Sequence, residues 1–262
     1  MKKSFIYLHI AIFLAGFTGI IGRYITLNEA LLVWYRLLIS AATMWLVFSW
    51  KHAIQKIPFS AILKLTGIGF LSALHWVSFF GAIKYANVSV ALVCFSAVGF
   101  FTAIFEPLLT GKRINRTDLL LGLLVMAGIY IIFHFDTRYK TGIILGMIAA
   151  LILAFVMILI RQSVQSINAE TILTWQLSGG FISLSLILPL YLKFSPATHF
   201  IPGVNDWIWL LVLSWFCSVI AFQLSVEALK HLSAFTVNLS YNLEPVYGII
   251  LAFILFGENK EL

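Results

Sequence analysis

The amino-acid sequence predicts an all-α integral membrane protein built from two inverted five-helix repeats, with nine of the ten spans visible. Three observations support this fold class. Hydrophobic residues make up 61% of the 262 residues and charged residues only 10%, whereas a soluble domain carries about 25% charged residues. Long apolar runs follow one another along the chain, and its two halves resemble each other. The composition excludes a soluble globular protein, because so few charges cannot cover its surface in water.

The basic residues indicate membrane topology rather than a nucleic-acid partner. The net charge is +7, but these residues are spread singly between apolar runs and form no basic stripe of the kind that nucleic acids require. The predicted inside loops hold more lysine and arginine than the outside loops when the N-terminus is cytoplasmic. We therefore expect a multi-pass protein of the cell inner (plasma) membrane with a cytoplasmic N-terminus. Cys94 and Cys217 lie in apolar runs and are expected to be core residues rather than a disulfide.

The apolar runs are long enough to be membrane-spanning helices, since a core of ~30 Å needs about 20 residues. They lie at 4–25, 30–50, 61–84, 88–110, 118–135, 142–161, 170–192, 206–229 and 233–256. The first run has no A-x-A-like cleavage site and is expected to be a span, not a removed signal peptide. Helix N-caps are expected at Asn28, Asn87, Thr117, Asn168 and Asn205.

Small residues recur at four-residue spacing in the first and sixth spans, at Ala11, Ala15, Gly19, Gly142, Gly146, Ala150 and Ala154. Such faces let helix backbones approach closely, and both tight packing alone and a role in helix movement fit them. By contrast, the fifth span is almost uniformly bulky and apolar. It is expected to face lipid or a partner chain, and a homodimer is one such arrangement.

An internal repeat relates the two halves. The segment AIKYANVSVA at 82–91 parallels ALKHLSAFTV at 228–237, and NEALLVW at 28–34 parallels AETILTW at 169–175. The units are predicted at 1–138 and at 139–262, the second with four helices present. Five crossings per unit would turn the second unit upside down. Inverted repeats are typical of transporters, which bind substrate near the membrane midplane where the halves meet.

Several motifs together resemble the EamA family of the drug/metabolite transporter superfamily, over essentially the whole chain. They are the lysine-ended third and eighth spans, the A-[IL]-K-[YH] repeat, Arg36 within LLVWYRLLISA, and the segment NLEPVYGIILAFILFGE. The resemblance implies ten helices in two inverted repeats and export of small metabolites, amino acids or drugs. It also implies a central cavity lined by the first, third, fourth, sixth, eighth and ninth helices, with peripheral fifth and tenth helices.

The chain departs from that pattern in three places. Gly99 in the first half corresponds to Pro245 in the second, and Lys112 corresponds to Glu258. The sequence also ends at Leu262, just after the ninth span. A tenth helix is therefore expected to be missing, either because the sequence is truncated or because the protein lacks that helix.

Polar residues inside the ninth span are candidates for substrate contact, because such groups are costly in a membrane. Asn238, Tyr241, Asn242 and Pro245 share one face of a continuous helix, and Pro245 would leave the carbonyl of Tyr241 without its helical donor. Substrate contact and helix–helix hydrogen bonding both fit this face. Glu244 lies near the middle of the span and is expected to point about 120° away from Asn238. It is a candidate for a coupling or a structural role.

The other candidates lie on the second, third and eighth spans. His75, Trp76 and Ser78 lie near the middle of the third span, where His75 fits either proton coupling or a neutral, hydrogen-bonded core position. Trp76 fits either a cavity wall or packing.

On the eighth span, Gln223 is a candidate for substrate contact. Glu227 is a candidate for coupling or for pairing with Lys84 or Lys230. Arg36 on the second span fits either attraction of an anionic substrate group or a structural bond to carbonyls.

The sequence lacks the motifs of ATP-driven and enzymatic proteins. It contains no G-x-x-x-x-G-K-[ST], H-E-x-x-H, G-x-S-x-G or paired-cysteine metal motif. No cofactor, metal or enzymatic activity is therefore expected, and transport would depend on proton coupling, exchange or a facilitated leak. The sequence favours an inner-membrane secondary transporter that moves a small metabolite, an amino acid-like solute or drug, by alternating access and in the export direction. The alternatives are a non-transporting receptor or scaffold and an intramembrane lipid enzyme.

Overall fold

The computed structural model describes residues 2–111, 113–133 and 139–257, and the regular structure in these ranges is helical. The α-helices are α1 (Lys2–Tyr24), α2 (Glu29–Trp50), α3 (Phe59–Tyr85), α4 (Val88–Phe95), α5 (Val98–Thr110), α6 (Arg116–Phe133), α7 (Lys140–Ser163), α8 (Ala169–Phe194), α9 (Val204–Ser214), α10 (Ala221–Leu229), α11 (Ala234–Ser240) and α12 (Leu243–Phe256). A π-helical turn, Trp215–Ile220, joins α9 to α10.

Eight helical segments in the described ranges are long and apolar enough to cross a membrane. They are α1, α2, α3, α4 with α5, α7, α8, α9 through α10, and α11 with α12. The predicted fifth span is helix α6, of 18 residues. Lys112 and Glu258, which mark one expected departure from repeat symmetry, lie outside the described residues, as do the last residues of the chain.

Three of the predicted N-caps are confirmed. The side-chain oxygen of Asn28 accepts a hydrogen bond from the amide of Ala30 at 2.9 Å. Those of Asn87 and Asn168 accept from Val90 at 2.8 Å and from Thr171 at 3.0 Å. These bonds satisfy amides that have no partner within the first turn and fix where α2, α4 and α8 begin.

The other two predicted N-caps are wrong, because α6 and α9 each begin earlier than expected. Thr117 lies inside α6, and its amide donates to the side chain of Asn115 at 3.0 Å. Asn205 lies inside α9, whose N-cap is Gly203.

Three predicted spans are interrupted rather than continuous. The fourth breaks between α4 and α5 at Ser96 and Ala97, and the ninth breaks between α11 and α12 at Tyr241 and Asn242. Both breaks contain bonds from an amide to the carbonyl three residues earlier, the pattern of a 3₁₀ turn. The eighth span contains the π-helical turn. The single helical register that we assumed for the ninth span is therefore wrong.

Helix α3 packs along both α7 and α8. Its closest approach is to α8 at Gly69, where an added Cβ atom would lie only 2.0 Å from the carbonyl oxygen of Gln176. The small-residue face of α7 makes similar contacts. An added Cβ at Gly142 would lie 2.5 Å from Ala86 Cβ, and one at Gly146 would lie 2.7 Å from Cys94 Cβ. Small residues are thus needed here for close packing.

Helix α6 lies at the edge of the bundle and packs mainly on α5. Leu120, Leu124 and Ile131 on this helix are exposed. This arrangement agrees with an outward-facing fifth span, and whether lipid or a second chain covers it stays a prediction.

Loops from the two halves of the chain are tied together at both ends of the bundle. We call the end at which α1 begins the N-side. There, Asn168 Nδ2 donates to the carbonyl of Ala53 at 2.7 Å, and Gln55 Oε1 accepts from the Asn168 amide at 2.9 Å. At the opposite end, Asp206 accepts from the amide and hydroxyl of Thr26, each at 2.8 Å.

Candidate substrate-binding cavity

A cavity lies in the middle of the bundle and extends towards the N-side. The cavity and its opening enclose about 760 Å³ not occupied by protein atoms. Its polar lining residues are Thr18, Arg36, Ser72, His75, Gln176, Cys217, Ser225, Tyr241 and Glu244. Ile160, Leu173 and Leu229 line its N-side end, within about one turn of where α7, α8 and α10 meet that side.

The cavity is lined by more spans than the family resemblance implies. The first, third, fourth, sixth, eighth and ninth spans all contribute, as expected. In addition, the second span contributes Arg36 and the seventh contributes Leu173 and Gln176. Two of the most polar lining groups therefore come from helices that were not expected at the cavity.

Arg36 is the most deeply buried charged side chain of the cavity, with 1% of its surface exposed. Its Nε donates to Ser218 Oγ at 2.7 Å, and its Nη2 donates to the carbonyl of Cys217 at 3.4 Å. Nη1 has no hydrogen-bond partner among the described residues. A buried donor without a partner costs about 1–3 kcal/mol, and more when it is charged. One edge of Arg36 thus bonds a helix, as the structural interpretation expected, and attraction of an anionic substrate group stays a prediction.

Aromatic side chains form one wall of the cavity. The Trp76 ring stacks on Phe222, with centroids 5.2 Å apart and planes 17° apart. The guanidinium carbon of Arg36 lies 4.5 Å from the centre of the Trp76 ring. Phe79 and Phe95 complete the wall in an edge-to-face pair, with centroids 5.6 Å apart. Such a wall suits an apolar or aromatic group.

An amide and a hydroxyl lie where α3 approaches α8. Gln176 Nε2 donates to Ser72 Oγ at 2.8 Å, and that hydroxyl donates to the carbonyl of Ile68 at 2.9 Å. The other polar atom of the Gln176 side chain, Oε1, is buried and has no donor within the described part of the chain. It is thus a free acceptor in the wall of the cavity.

Glu244 and Tyr241 line the cavity together, whereas Asn238, which the sequence placed on one face with Tyr241, does not. The break at Tyr241 and Asn242 is a 3₁₀ turn, in which residues three apart lie one above the other. The amide of Glu244 donates to the carbonyl of Tyr241 at 2.9 Å. The expectation that Pro245 leaves this carbonyl free is therefore wrong.

The Glu244 carboxyl is 4% exposed. Across the described ranges, it accepts no hydrogen bond and pairs with no cation, and Arg36 forms no ion pair either. The Tyr241 hydroxyl lies 2.6 Å from Ser225 Oγ. The cavity is thus lined by an arginine whose Nη1 has no partner and by a glutamate carboxyl without a partner in the described ranges.

His75 lines the cavity next to Trp76 and is 5% exposed. Its Nδ1 lies 2.9 Å from the carbonyl oxygen of Ala149. Because a carbonyl can only accept, this ring nitrogen carries the proton. The bond holds the imidazole in place, and proton coupling by His75 stays a prediction.

Five of the predicted site residues lie away from the cavity lining. Asn238 Nδ2 donates to Thr102 Oγ1 at 2.8 Å, a bond between α11 and α5. Ser78 and Asn242 are half-buried and do not line the cavity.

Gln223 and Glu227 lie on a different face of α10 from the cavity-lining residues, in a second groove on the N-side. Gln223 Nε2 lies 3.5 Å from Glu170 Oε1. Glu227 pairs with Lys230 at 2.5 Å, one of the two partners considered from the sequence.

The sequence interpretation missed Ser72, Ser218 and Ser225 entirely and did not select Gln176 as a site residue. A signal for Ser218 was present, because Ser214 and Ser218 are polar residues four apart within an apolar run. Serines in membrane helices commonly bond their own backbone, so this signal alone does not point to Arg36.

The bundle of apolar helices around a buried, partly polar cavity defines a polytopic membrane protein of the transporter class. The sequence matches the model of the EamA-like transporter family twice, over residues 2–134 and 140–262. The chain therefore belongs to the EamA-like transporter family and is a membrane transporter. Two relatives are named as transporters, and no enzyme activity is part of either name.

The similarity to these relatives is low but extensive. The chain is 24% identical to an uncharacterized transporter of Archaeoglobus fulgidus over 76% of its own length and 69% of that protein. It is 21% identical to the uncharacterized transporter YxxF of Bacillus subtilis over 97% of its length and 82% of that protein. A solved crystal structure has the same fold, with a TM-score of 0.73 at 17% identity over 97% of this chain and 88% of the other.

Proposed function

We propose that the protein is a secondary transporter of small zwitterionic solutes, with amino acids that carry a large apolar or aromatic side chain as the best fit. The observation that carries this proposal is the pair of unpartnered polar groups in one cavity. Arg36 Nη1 has no acceptor and the Glu244 carboxyl has no donor in the described residues, yet both line the same space.

The two charged groups match the two ends of an amino acid. An arginine binds a carboxylate through parallel N–H donors, which makes such bonds strong and directional. Glu244 and the free Oε1 of Gln176 can accept from an ammonium group. A ligand with both charges would satisfy groups that are otherwise costly to bury.

The apolar wall gives the proposal its side-chain preference. The wall consists of Trp76 and Phe222, whose ring centres lie 4.5 and 6.0 Å from the guanidinium carbon of Arg36, together with Phe79 and Phe95. They offer contact area to an aromatic or branched side chain but few polar partners. Small or highly polar side chains would leave this wall without contacts.

We further propose that transport proceeds by alternating access between the inverted units 1–138 and 139–262, in the export direction, with a cytoplasmic N-terminus in the plasma membrane. The cavity extends to the N-side, so with a cytoplasmic N-terminus this conformation would admit substrate from the cytoplasm, as export requires. The loop contacts at the opposite end would need to open for release.

Counterflow in proteoliposomes tests the proposal. Vesicles loaded with unlabelled phenylalanine are diluted into labelled phenylalanine, and a panel of other amino acids, nucleosides and cationic drugs is run alongside. We expect transient accumulation of phenylalanine, and weaker signals for phenylalanine amide and 3-phenylpropionate, which lack one charge each. Arg36→Lys should reduce the phenylalanine signal. No counterflow of any solute in the panel would count against transport through this cavity.

A further inference from the structure

The π-helical turn Trp215–Ile220 brings Ser218 to the guanidinium group of Arg36. We propose that Ser218 is a positioning residue: it fixes the orientation of Arg36 so that the Nη1 edge faces the cavity and selects for a substrate carboxylate. This inference rests on the proposed function, because it concerns how that binding group is held.

The hydroxyl of Ser218 has a fixed direction. It donates its one proton to the carbonyl of Leu213, with Oγ and O 3.1 Å apart. The lone pair of Oγ is then directed at Arg36 Nε, which donates to it at 2.7 Å. Ser218 is itself fully buried, so water does not compete for either bond.

A guanidinium group is planar and rigid, so fixing one edge fixes the other. The Nε and Nη2 atoms of Arg36 are directed at Ser218 and at the carbonyl of Cys217. Nη1 is left without a partner in the described part of the chain. The side chain is thereby held with its free donors on the side opposite the π-helical turn.

The backbone of Arg36 is held separately from its side chain. Ser214 Oγ donates to the carbonyl of Arg36 at 3.4 Å, and Ser40 Oγ donates to the carbonyl of Ser214 at 3.4 Å. These contacts lock α2 against the end of α9 without touching the guanidinium group. Ser214 is therefore a matched control for Ser218: it is a buried serine, one turn away, and it bonds the same residue.

The test compares Ser218→Ala, Ser218→Thr and Ser214→Ala with the unchanged protein in proteoliposomes. The measured quantities are KM and Vmax for phenylalanine, and the ratio of phenylalanine to phenylalanine amide transport. Loss of a hydrogen bond that orients a charged group should raise KM for phenylalanine by about tenfold with little change in Vmax. It should also reduce discrimination against the amide. Ser218→Thr keeps the hydroxyl, so its KM for phenylalanine and its discrimination against the amide should be close to those of the unchanged protein. Ser214→Ala should also resemble the unchanged protein.

Equal effects of Ser218→Ala and Ser214→Ala would overturn the proposal, since general loosening of the helix contact would affect both. An unchanged KM for phenylalanine in Ser218→Ala would also overturn it. The same holds if Ser218→Thr discriminates against phenylalanine amide as poorly as Ser218→Ala. If the unchanged protein transports no phenylalanine, the proposed function fails, and the positioning role is decided by a separate measurement.

That measurement follows the Arg36 Nε–H group directly in detergent-solubilised protein labelled with ¹⁵N-arginine. The resonance is assigned by its loss in Arg36→Lys. We expect slow hydrogen exchange in the unchanged protein, in Ser218→Thr and in Ser214→Ala, and faster exchange in Ser218→Ala. The same rate in Ser218→Ala as in the unchanged protein would refute the positioning role. A thermal unfolding curve for each variant shows whether it is folded.

Discussion

The guanidinium carbon of Arg36 lies 4.5 Å from the centre of the Trp76 ring, and the two residues line the same cavity. A cation over an aromatic face contributes about 0.5–1 kcal/mol at an exposed site and about 2 kcal/mol or more when it is desolvated. The contact gives the arginine a favourable environment before any anion binds. In the proposed site, Trp76 would therefore support carboxylate binding by Arg36 as well as form part of the apolar wall.

Replacing Trp76 tests this contact. We expect Trp76→Ala to raise the KM for phenylalanine by about 10- to 30-fold, because it removes both the cation–π contact and the stacking surface. Trp76→Phe should have a smaller effect. The measurement is counterflow over a range of phenylalanine concentrations. Trp34→Phe is the control, since Trp34 lies outside the cavity lining and bonds Ser185 at 2.8 Å; a comparable increase in that variant would contradict the assignment.

The pH dependence of transport should depend on Glu244 and His75. The ionisable groups that line the cavity with Glu244 are Arg36, His75, Cys217 and Tyr241. Protonation of Glu244 on acidification would remove its acceptor charge, so we expect uptake of phenylalanine to fall as the pH is lowered. Glu244→Gln and His75→Gln should each be compared across pH, with counterflow as the readout. If counterflow in both variants keeps the pH dependence of the unchanged protein, proton coupling through these residues is refuted.

The contact between α3 and α8 should tolerate no side chain at Gly69. An added Cβ would lie 2.0 Å from the carbonyl oxygen of Gln176 and 2.6 Å from the amide nitrogen of Gly180. Backbone atoms cannot move aside as a flexible side chain can, so Gly69→Ala should cost about 1–3 kcal/mol. The measurement is the unfolding temperature in detergent. Gly67→Ala, on the same helix with nothing within 4 Å of the added atom, should leave the unfolding temperature unchanged or slightly raised.

The tie at the opposite end of the bundle should depend on Asp206. This carboxylate accepts from the amide and the hydroxyl of Thr26 and lies 3.7 Å from His199 Nε2. We expect Asp206→Ala to increase the hydrogen-exchange rate of the Thr26 amide by at least about tenfold, the effect of losing charge-assisted hydrogen bonds. Mass spectrometry of peptides covering 24–28 would measure it. Asp118→Asn, on the peripheral helix α6, should leave that rate unchanged, and an equal change in both variants would indicate general loosening.

Much of the fold could be predicted because its signals are local. Apolar runs, N-cap asparagines and small-residue faces act within one helix or one connection, and Asn28, Asn87 and Asn168 do cap helices as expected. The interruption at Tyr241 did have a local signal in Pro245, four residues later, which has no amide proton to donate to that carbonyl in an α-helix. The residues of Trp215–Ile220 include no proline or glycine, and they could not be predicted to form a π-helical turn in the same way. That turn depends on packing between distant segments, such as the contact of Arg36 with Ser218.

The candidate site was predicted only in part, because the sequence shows how deep a residue lies in a span but not which way its side chain points. Arg36, His75, Trp76, Tyr241 and Glu244 were selected as polar or aromatic residues deep in spans, and all of them line the cavity. Asn238 satisfied that criterion equally well but bonds Thr102 on a neighbouring helix. Depth in a span can be read from sequence position, whereas the direction of a side chain depends on the helical register. That register changes at each interruption.

The π-helical turn Trp215–Ile220 also has a consequence for insertions and deletions. A π-turn holds one more residue than the α-turn it replaces, so it absorbs an extra residue while the helices on either side keep their faces. Deleting a single residue there would convert the turn to an α-helix, and the faces of α9 and α10 would keep their present orientations. Phe222 and Ser225 would still face the cavity, but Ser218 would no longer meet Arg36. In this span, a change in chain length of one residue could therefore alter ligand selectivity without altering the fold.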